Sequence, residues 1–339
     1  MQSSLSRQLQ GLKTQDSARK LKTNKIASLL FSPSEAGNFD NDLIKSLGSQ
    51  GIENLILANP HFGFIKDKIF DPKYDNLNRE MLTEEENNHL SEDLKAIFTE
   101  LLPYFLNEDC QKVIEYLIRN FEIHNYEGNE LAVTFLPFHS TVVYVRLLQN
   151  VDLTKNPHWY FLEKNIKEGL IIPRDIIAKQ SCLDSSILES VLKLAADNIR
   201  SHSKHLSESK EVYLSAVKPT SNKRLVKDDC VVTFATGLIT ETLFYAKERK
   251  RVTENLLIII MKYISVCLKS SQFEDAFHSG LITLSSLALT SQFSEEYMRA
   301  ILLDTVKGLQ KFQQNKAICN NIVAFLVLAT QTQVIFQLH

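Results

Sequence analysis

Apolar positions along this chain recur at helical spacing. Cys110, Val113, Ile114, Leu117, Ile118 and Phe121 fall at i, i+3, i+4, i+7, i+8 and i+11, one stripe of an α-helix. Glu127–Asn129 reads as a tight turn. Leu131, Ala132, Phe135 and Leu136 make a second stripe, ended near Pro137. Ser140 or Thr141 is placed to cap a third helix, VVYVRLLQNV, apolar on nearly every side. Ser91 is expected to cap the helix EDLKAIFTELLPYFL before them. Further on, SSILESVLKLAADNI, VVTFATGLITETLFYAK, LLIIIMKYISVCLK, GLITLSSLALT, EEYMRAILLDTVKGLQKF and CNNIVAFLVLATQ continue the alternation. Two-sided apolar helices stand next to one-sided ones. That pattern predicts an all-α chain, an α-solenoid of HEAT-like helix pairs whose inner helices are covered on both sides by neighbours.

Four regions follow. Residues 1–35 are polar and read as an arm or short helix. Residues 36–200 read as helical repeats, with DNDLIKSLGSQGIENLILANP expected to break into two helices at Gly48–Gly51 and to stop at Pro60. Within them HFGFIKDKIF reads as another helical turn or two, and Asp71–Asn88 as a polar loop. Residues 201–228, with Pro219, read as a second polar loop. Residues 229–339 read as further repeats that stay apolar almost to the last residue, as if more repeats followed.

Composition sharpens this picture. Glycine is scarce, 10 in 339 residues, and proline is 8, against an ordinary glycine share of about 7%. A sheet protein of this length needs more turn glycines. Hydrophobic residues at 44% and charged residues at 23% suit a folded, soluble, cytosolic or nuclear protein. The formal charge of −2 gives no global attraction for nucleic acid or an anionic membrane, so any RNA contact needs a local patch. Cys110, Cys182, Cys230, Cys267 and Cys319 form no C-x-x-C and read as reduced, mostly buried thiols. The start, MQSSLSRQLQ, has no apolar signal core, and Leu256–Cys267 is too short to span a bilayer.

Candidate chemistry concentrates between Tyr116 and His139, but the spacing argues against catalysis. If the first two stripes form a hairpin, His124 sits at the loop and His139 roughly 13 Å down the partner helix. Two ligands of one ion each lie about 2 Å from it, so the pair cannot share a metal. No H-E-x-x-H, G-x-S-x-G, P-loop or dinucleotide fingerprint is present. No enzyme, cofactor or metal is expected. Arg146, flanked by apolar residues, reads as a buried guanidinium needing a partner, with Glu122, Glu127, Glu130 or a carbonyl at a helix end available. Arg119, Tyr126 and Pro137 join the two histidines and Arg146 as residues that tie helices together or dock a partner. Two basic clusters are candidates for RNA contact: Arg19, Lys20, Lys22 and Lys25, and then Lys247, Arg249, Lys250 and Arg251. Neither is interleaved in sequence with the aromatics that single-strand readers use. The second also fits a nuclear-import signal.

The stretch Ile114–Val151 resembles the N-terminal region of the large HEAT-repeat subunit of the small-subunit processome. That family is called U-three-snoRNA-associated protein ten in fungi and HEAT-repeat-containing protein one in animals. Tyr116, Leu117, Ile118, Arg119, Phe121, Ile123 and His124 fit its first block. Leu136, Pro137, His139 and Thr141 fit its second, and Val145, Arg146, Leu147 and Leu148 its third. SLSRQLQGL near the start, Ser28–Phe62, TEEENNHL and Pro157–Asp175 extend the likeness to roughly residues 1–180. Asn120 and Phe138 depart from it, standing where the family favours Arg and Tyr. The resemblance implies a non-enzymatic nucleolar scaffold of the UtpA subcomplex. Its implied partners are β-propeller and helical subunits, the 5′ external transcribed spacer of pre-rRNA and the U-three snoRNP. It implies a role in 18S rRNA maturation, linked to rDNA transcription, with no membrane and no small-molecule substrate. The competing reading is a helical-repeat adaptor of another class, such as a transport receptor or coat-like scaffold. That reading would require repeated acidic or aromatic positions on a concave face, and no such period is visible.

Overall fold

A computed structural model of the chain describes residues 27–75, 77–213, 230–270 and 273–333, with Pro33 and residues 202–213 by backbone alone. Among them every regular element is a helix. The α-helices are α1 (Pro33–Ala36), α2 (Asn41–Ala58), α3 (Gly63–Ile69), α4 (Glu84–Leu101), α5 (Glu108–Asn120), α6 (Ile123–Tyr126), α7 (Gly128–Thr134) and α8 (Val142–Gln149). They continue as α9 (Glu163–Glu168), α10 (Arg174–Ser181), α11 (Ser185–Tyr213), α12 (Cys230–Glu248), α13 (Glu254–Lys269), α14 (Glu274–Ala288), α15 (Glu295–Lys311) and α16 (Lys316–Thr332). The chain forms two compact units, Met1–Thr83 with Asn107–Tyr126, and Glu84–Leu106 with Glu127–His339.

The first unit is organised by α5 lying along α2. The stripe read from the sequence is the buried one: Val113, Ile114, Leu117 and Ile118 are at most 1% exposed. Each such side chain contributes about 1.5–3 kcal/mol of gross burial energy. The break expected at Gly48–Gly51 does not occur, and α2 is one helix of 18 residues. Both glycines face α5. A Cβ on Gly48 would come within 2.6 Å of Tyr116 Cβ, and one on Gly51 within 2.4 Å of the Asp109 carbonyl oxygen. Glycine here permits helix contact rather than ending a helix. The side chain of Asp40 caps α2 at one end, and Asn59 before Pro60 closes the other.

The second unit carries the repeats. Each helix from α10 onward packs against the next but one: α10 on α12, α12 on α14, α14 on α16, and α11 on α13, α13 on α15. Pairs α10–α11, α11–α12, α13–α14 and α15–α16 join the two rows. This is the arrangement predicted from alternating two-sided and one-sided helices. Core residues spread round α12 and α14, while α15 buries one narrow line, Met298, Ile301, Thr305 and Gly308. Gly280 lets α14 approach Cys267 of α13. A polar knot fastens three helices, with Thr236 and Tyr263 hydroxyls 2.6 and 2.9 Å from Ser279 Oγ.

Other expectations shift. Ser91 is not a cap: α4 begins at Glu84, and its opening acidic turn, Glu84–Glu86, suits the positive pole of a helix. Ser91 instead donates from inside α4 to Glu127 at 2.7 Å. The loop expected over 201–228 is helical as far as Tyr213, because nothing between 201 and 213 is Gly or Pro, and polar residues continue a helix readily. The remainder of that loop, and residues 1–26 of the expected arm, lie outside the described residues.

Candidate interaction surfaces

Arg119, at the end of α5, aims its guanidinium at a helix terminus. Nη1 and Nη2 each donate to the Ala36 carbonyl at 3.1 Å, and Nη2 donates to that of Phe39 at 3.1 Å. A planar fork of donors meets carbonyls left over where α1 ends. One turn earlier on the same helix, fully buried Glu115 accepts from the backbone N–H groups of Leu29 and Leu30 at 2.6 and 3.1 Å. Asn120, where the family pattern has a second arginine, donates to the Tyr74 carbonyl at 3.2 Å. The first motif block therefore holds the segments on either side of α2 to α5.

The buried arginine is not the one expected. Arg146 is exposed on α8, and the carboxylates proposed for it bond elsewhere. Glu127 accepts from Ser91, Glu130 pairs with Lys95 at 3.1 Å, and Glu122 accepts from Asn125 at 3.0 Å. On a short helix the stripe toward the core is narrow: Tyr144, Val145, Leu147 and Leu148 fill it and turn Arg146 outward. Arg79, in the stretch read as a polar loop, is 1% exposed. It donates through Nη1 to the Phe121 carbonyl at 3.2 Å and lies 4.1 Å from the Tyr126 ring centroid. Tyr126 thus serves as the aromatic floor for a guanidinium. Half-buried His124 belongs to α6 in this first unit, whereas His139 belongs to the second.

The second motif block sets the entry to α8. Pro137 lies in a 3-10 turn, Leu136–Phe138. Thr141 donates to the Phe138 carbonyl at 2.8 Å and accepts from the Tyr144 N–H at 3.3 Å, capping α8 as expected. His139 makes a two-way tie to Ile172: its carbonyl accepts from the Ile172 N–H at 3.1 Å, and its ring Nδ1 lies 2.5 Å from the Ile172 carbonyl. A carbonyl only accepts, so Nδ1 carries the proton. The ring packs 5.4 Å from that of Phe234 on α12. Burial holds its pKa below the ordinary histidine value, against the opposing pull of the Ile172 carbonyl. Two residues on, Arg174 grips Glu241 of α12 through Nε at 2.8 Å and Nη2 at 2.5 Å, with its guanidinium over Gly237.

Lys247, Arg249, Lys250 and Arg251 close α12. Arg249, Lys250 and Arg251 are exposed, and Lys247 Nζ donates to the Leu289 carbonyl at 2.7 Å. Lys250 takes a left-handed φ of 52°. Its N–H bonds the Lys247 carbonyl at 3.1 Å, and the Arg251 N–H bonds that of Ala246 at 2.8 Å. That is a Schellman ending with lysine where glycine is usual. Aromatic surface does accompany the cluster: Phe244, 56% exposed, precedes it by one turn. Sequence spacing hid this, because adjacency on a helix runs through i+3 and i+4. Arg19, Lys20, Lys22 and Lys25 lie outside the described residues.

Among the described residues no three His, Cys, Asp or Glu side chains come together as a metal site, and no helix is long and apolar enough to cross a membrane. The five cysteines are free thiols; burial pushes Cys267 up to about 12 and Cys110 further. Paired helices stacked in two rows, with polar motif residues used on helix ends, define an all-α protein of HEAT-like helix pairs, the α-solenoid class. No family model matches the chain. It is 26% identical over 310 residues to human HEAT repeat-containing protein 1, covering 91% of this chain and 14% of the relative. To the Caenorhabditis elegans homologue of that protein it is 29% identical over 307 residues, covering 89% and 17%. To U3 small nucleolar RNA-associated protein 10 of Debaryomyces hansenii it is 30% identical over 206 residues, covering 59% and 11%. The chain is thus similar to HEAT repeat-containing protein 1 over most of its own length and to U3 small nucleolar RNA-associated protein 10 over more than half of it. It spans about a seventh of the length of such relatives, and the names of these three describe repeat and RNA-associated proteins, not enzymes.

Proposed function

We propose that this chain is a docking platform within a nucleolar ribosome-assembly scaffold, the UtpA subcomplex of the small-subunit processome. It would help arrange the 5′ external transcribed spacer of pre-rRNA beside the U3 snoRNP for 18S rRNA maturation, linked to rDNA transcription. Its direct contacts are chiefly with β-propeller and helical protein subunits, and RNA contact is secondary. The observation that carries this reading is where the motif's polar groups go. Arg119 and His139 point at backbone carbonyls of their own units, so they build the platform and are spent. What they leave outside is helix surface, with one compact basic turn at Lys247–Arg251. Three exposed cations in one short turn suit a few phosphates, not an extended strand. Arg146, exposed on α8, is available to a partner.

The test is capture of purified UtpA subunits by the 339-residue chain, alongside binding of labelled spacer RNA. Protein capture should survive exchange of Arg249, Lys250 and Arg251 for alanine, while RNA binding, steep in salt, should fall. Tight salt-sensitive RNA binding without any subunit captured would reverse the order of partners.

A further inference from the structure

A groove of about 180 Å³ runs between α11 and α13 in the second unit. Its walls are aliphatic: Leu192 and Ala196 from α11, Ile259 and Val266 from α13. Ile258, 43% exposed, extends the apolar strip along α13. Lys193 and Lys262 stand exposed on the two facing helices, and neither ammonium has a carboxylate within 4 Å among the described residues. Arg200 also lines the groove but is already paired with Asp197 at 2.7 Å. Glu189 is the lining carboxylate. The rim is thus net cationic over an apolar floor.

We propose that this groove seats a partner-protein helix carrying one large aliphatic or aromatic anchor, with a carboxylate about one turn to either side. The inference deepens the docking function proposed above and rests on it. The pocket has room for a single large side chain, which is how anchor residues gain affinity. These two ammonium groups, without a carboxylate partner among the described residues, flank that seat, so acidic neighbours of the anchor meet opposite charge, and a basic partner is repelled. RNA fits less well. Tyr263 is the one ring lining the groove; it is 2% exposed and its hydroxyl is bonded to Ser279. A base would find no face to stack on.

The probe is a short fluorescein-labelled helical peptide with one leucine and a glutamate one turn before and after it, titrated against the 339-residue chain by anisotropy. Saturable binding is expected, weakened about tenfold or more by the K193E/K262E pair, which changes only exposed side chains. The same peptide with lysines for glutamates should prefer that charge-reversed variant. Ala196→Trp, filling the seat, should abolish binding of both; if that variant does not fold, the charge pair still decides. No binding to the unaltered chain, binding indifferent to K193E/K262E, or tighter binding of an oligouridylate of equal length would overturn the groove's assignment. Capture of UtpA subunits unaffected by K193E/K262E would remove the groove and leave the platform, whereas failure of the unaltered chain to capture any subunit would remove both.

Discussion

Arg79 and Tyr126, 47 positions apart, meet with the guanidinium carbon over the ring, 4.1 Å from its centroid. The arginine also reaches the Phe121 carbonyl, so one buried cation fastens the 3-10 turn Arg79–Met81 to the end of α5. Replacing it by alanine leaves that carbonyl without its charged donor and a void beside the ring. The expected loss is about 2–3 kcal/mol. Arg79→Lys should recover little, because an ammonium cannot copy the flat fork. Arg146→Ala, on exposed α8, should change stability by no more than about 0.5 kcal/mol. Urea midpoints of the three variants check this; equal effects at 79 and 146 would refute the assignment of the buried arginine.

Gly51→Ala should be costly and Gly63→Ala harmless. The first adds a methyl 2.4 Å from the Asp109 carbonyl oxygen, while the second meets nothing within 4 Å. Forcing α2 and α5 apart is expected to cost about 2 kcal/mol or more. At Gly63 alanine's better helix propensity contributes up to about 1 kcal/mol in the stabilising direction. Thermal melts of the pair separate contact from helix breaking, since two glycines that merely interrupted a helix would be improved by alanine alike.

Lys250→Gly should stabilise the chain by about 1 kcal/mol. The residue sits at φ 52°, where a Cβ is strained and glycine is not, and the Schellman bonds around it are backbone only. A rise in melting temperature is the expected result. A fall would mean that the lysine side chain makes a contribution larger than its strain.

His139 gives the second unit a pH dependence of fixed sign. Burial depresses its folded pKa below 6.5, so the unfolded chain takes up the proton first. Above about 6.5 both states are neutral and the residue adds no slope. As pH falls from there towards the depressed folded value, the unfolded state binds more protons and stability is lost. The facing groups act in opposite senses, Arg174 lowering the pKa and Glu241 raising it. His139→Gln should flatten this decline in denaturation series between pH 7.5 and pH 5.5, a window of about two units around the histidine range. An unchanged slope would place the titrating group elsewhere.

How far the sequence alone could lead depends on where each signal resides. The stripe from Cys110 to Phe121 foretells α5 because burial on a helix repeats every 3.6 residues. Thr141 foretells the cap of α8 because the bond closes within three residues. Gly48 and Gly51 mislead because a glycine that ends a helix and one that admits a neighbour are the same letter; only α5 tells them apart. Arg79 and Arg146 exchange roles for a related reason. Apolar neighbours in sequence made Arg146 look enclosed, whereas enclosure of Arg79 comes from Phe121 and Tyr126, more than 40 positions away. His139 was legible as a motif residue, but its partner Ile172, set in an irregular stretch, was not. The α11–α13 groove had no signature at all, since its two walls lie some 65 residues apart in the chain.

The next-but-one stacking from α10 to α16 has a consequence for how this chain is made. Contacts in that array close over spans such as the 43 residues from Thr236 to Ser279 and the 67 from Arg174 to Glu241, and each helix emerging during synthesis finds its earlier partner already present. The loop-closure entropy that slows large proteins is met there in small instalments. The first unit waits comparably long: α2 meets α5 across spans such as the 55 residues from Asn54 to Asp109. Those longest intervals, with α2 awaiting α5 and α10 awaiting α12, are when a nascent chain of this kind is most open to capture by chaperones or by its neighbours on the polysome.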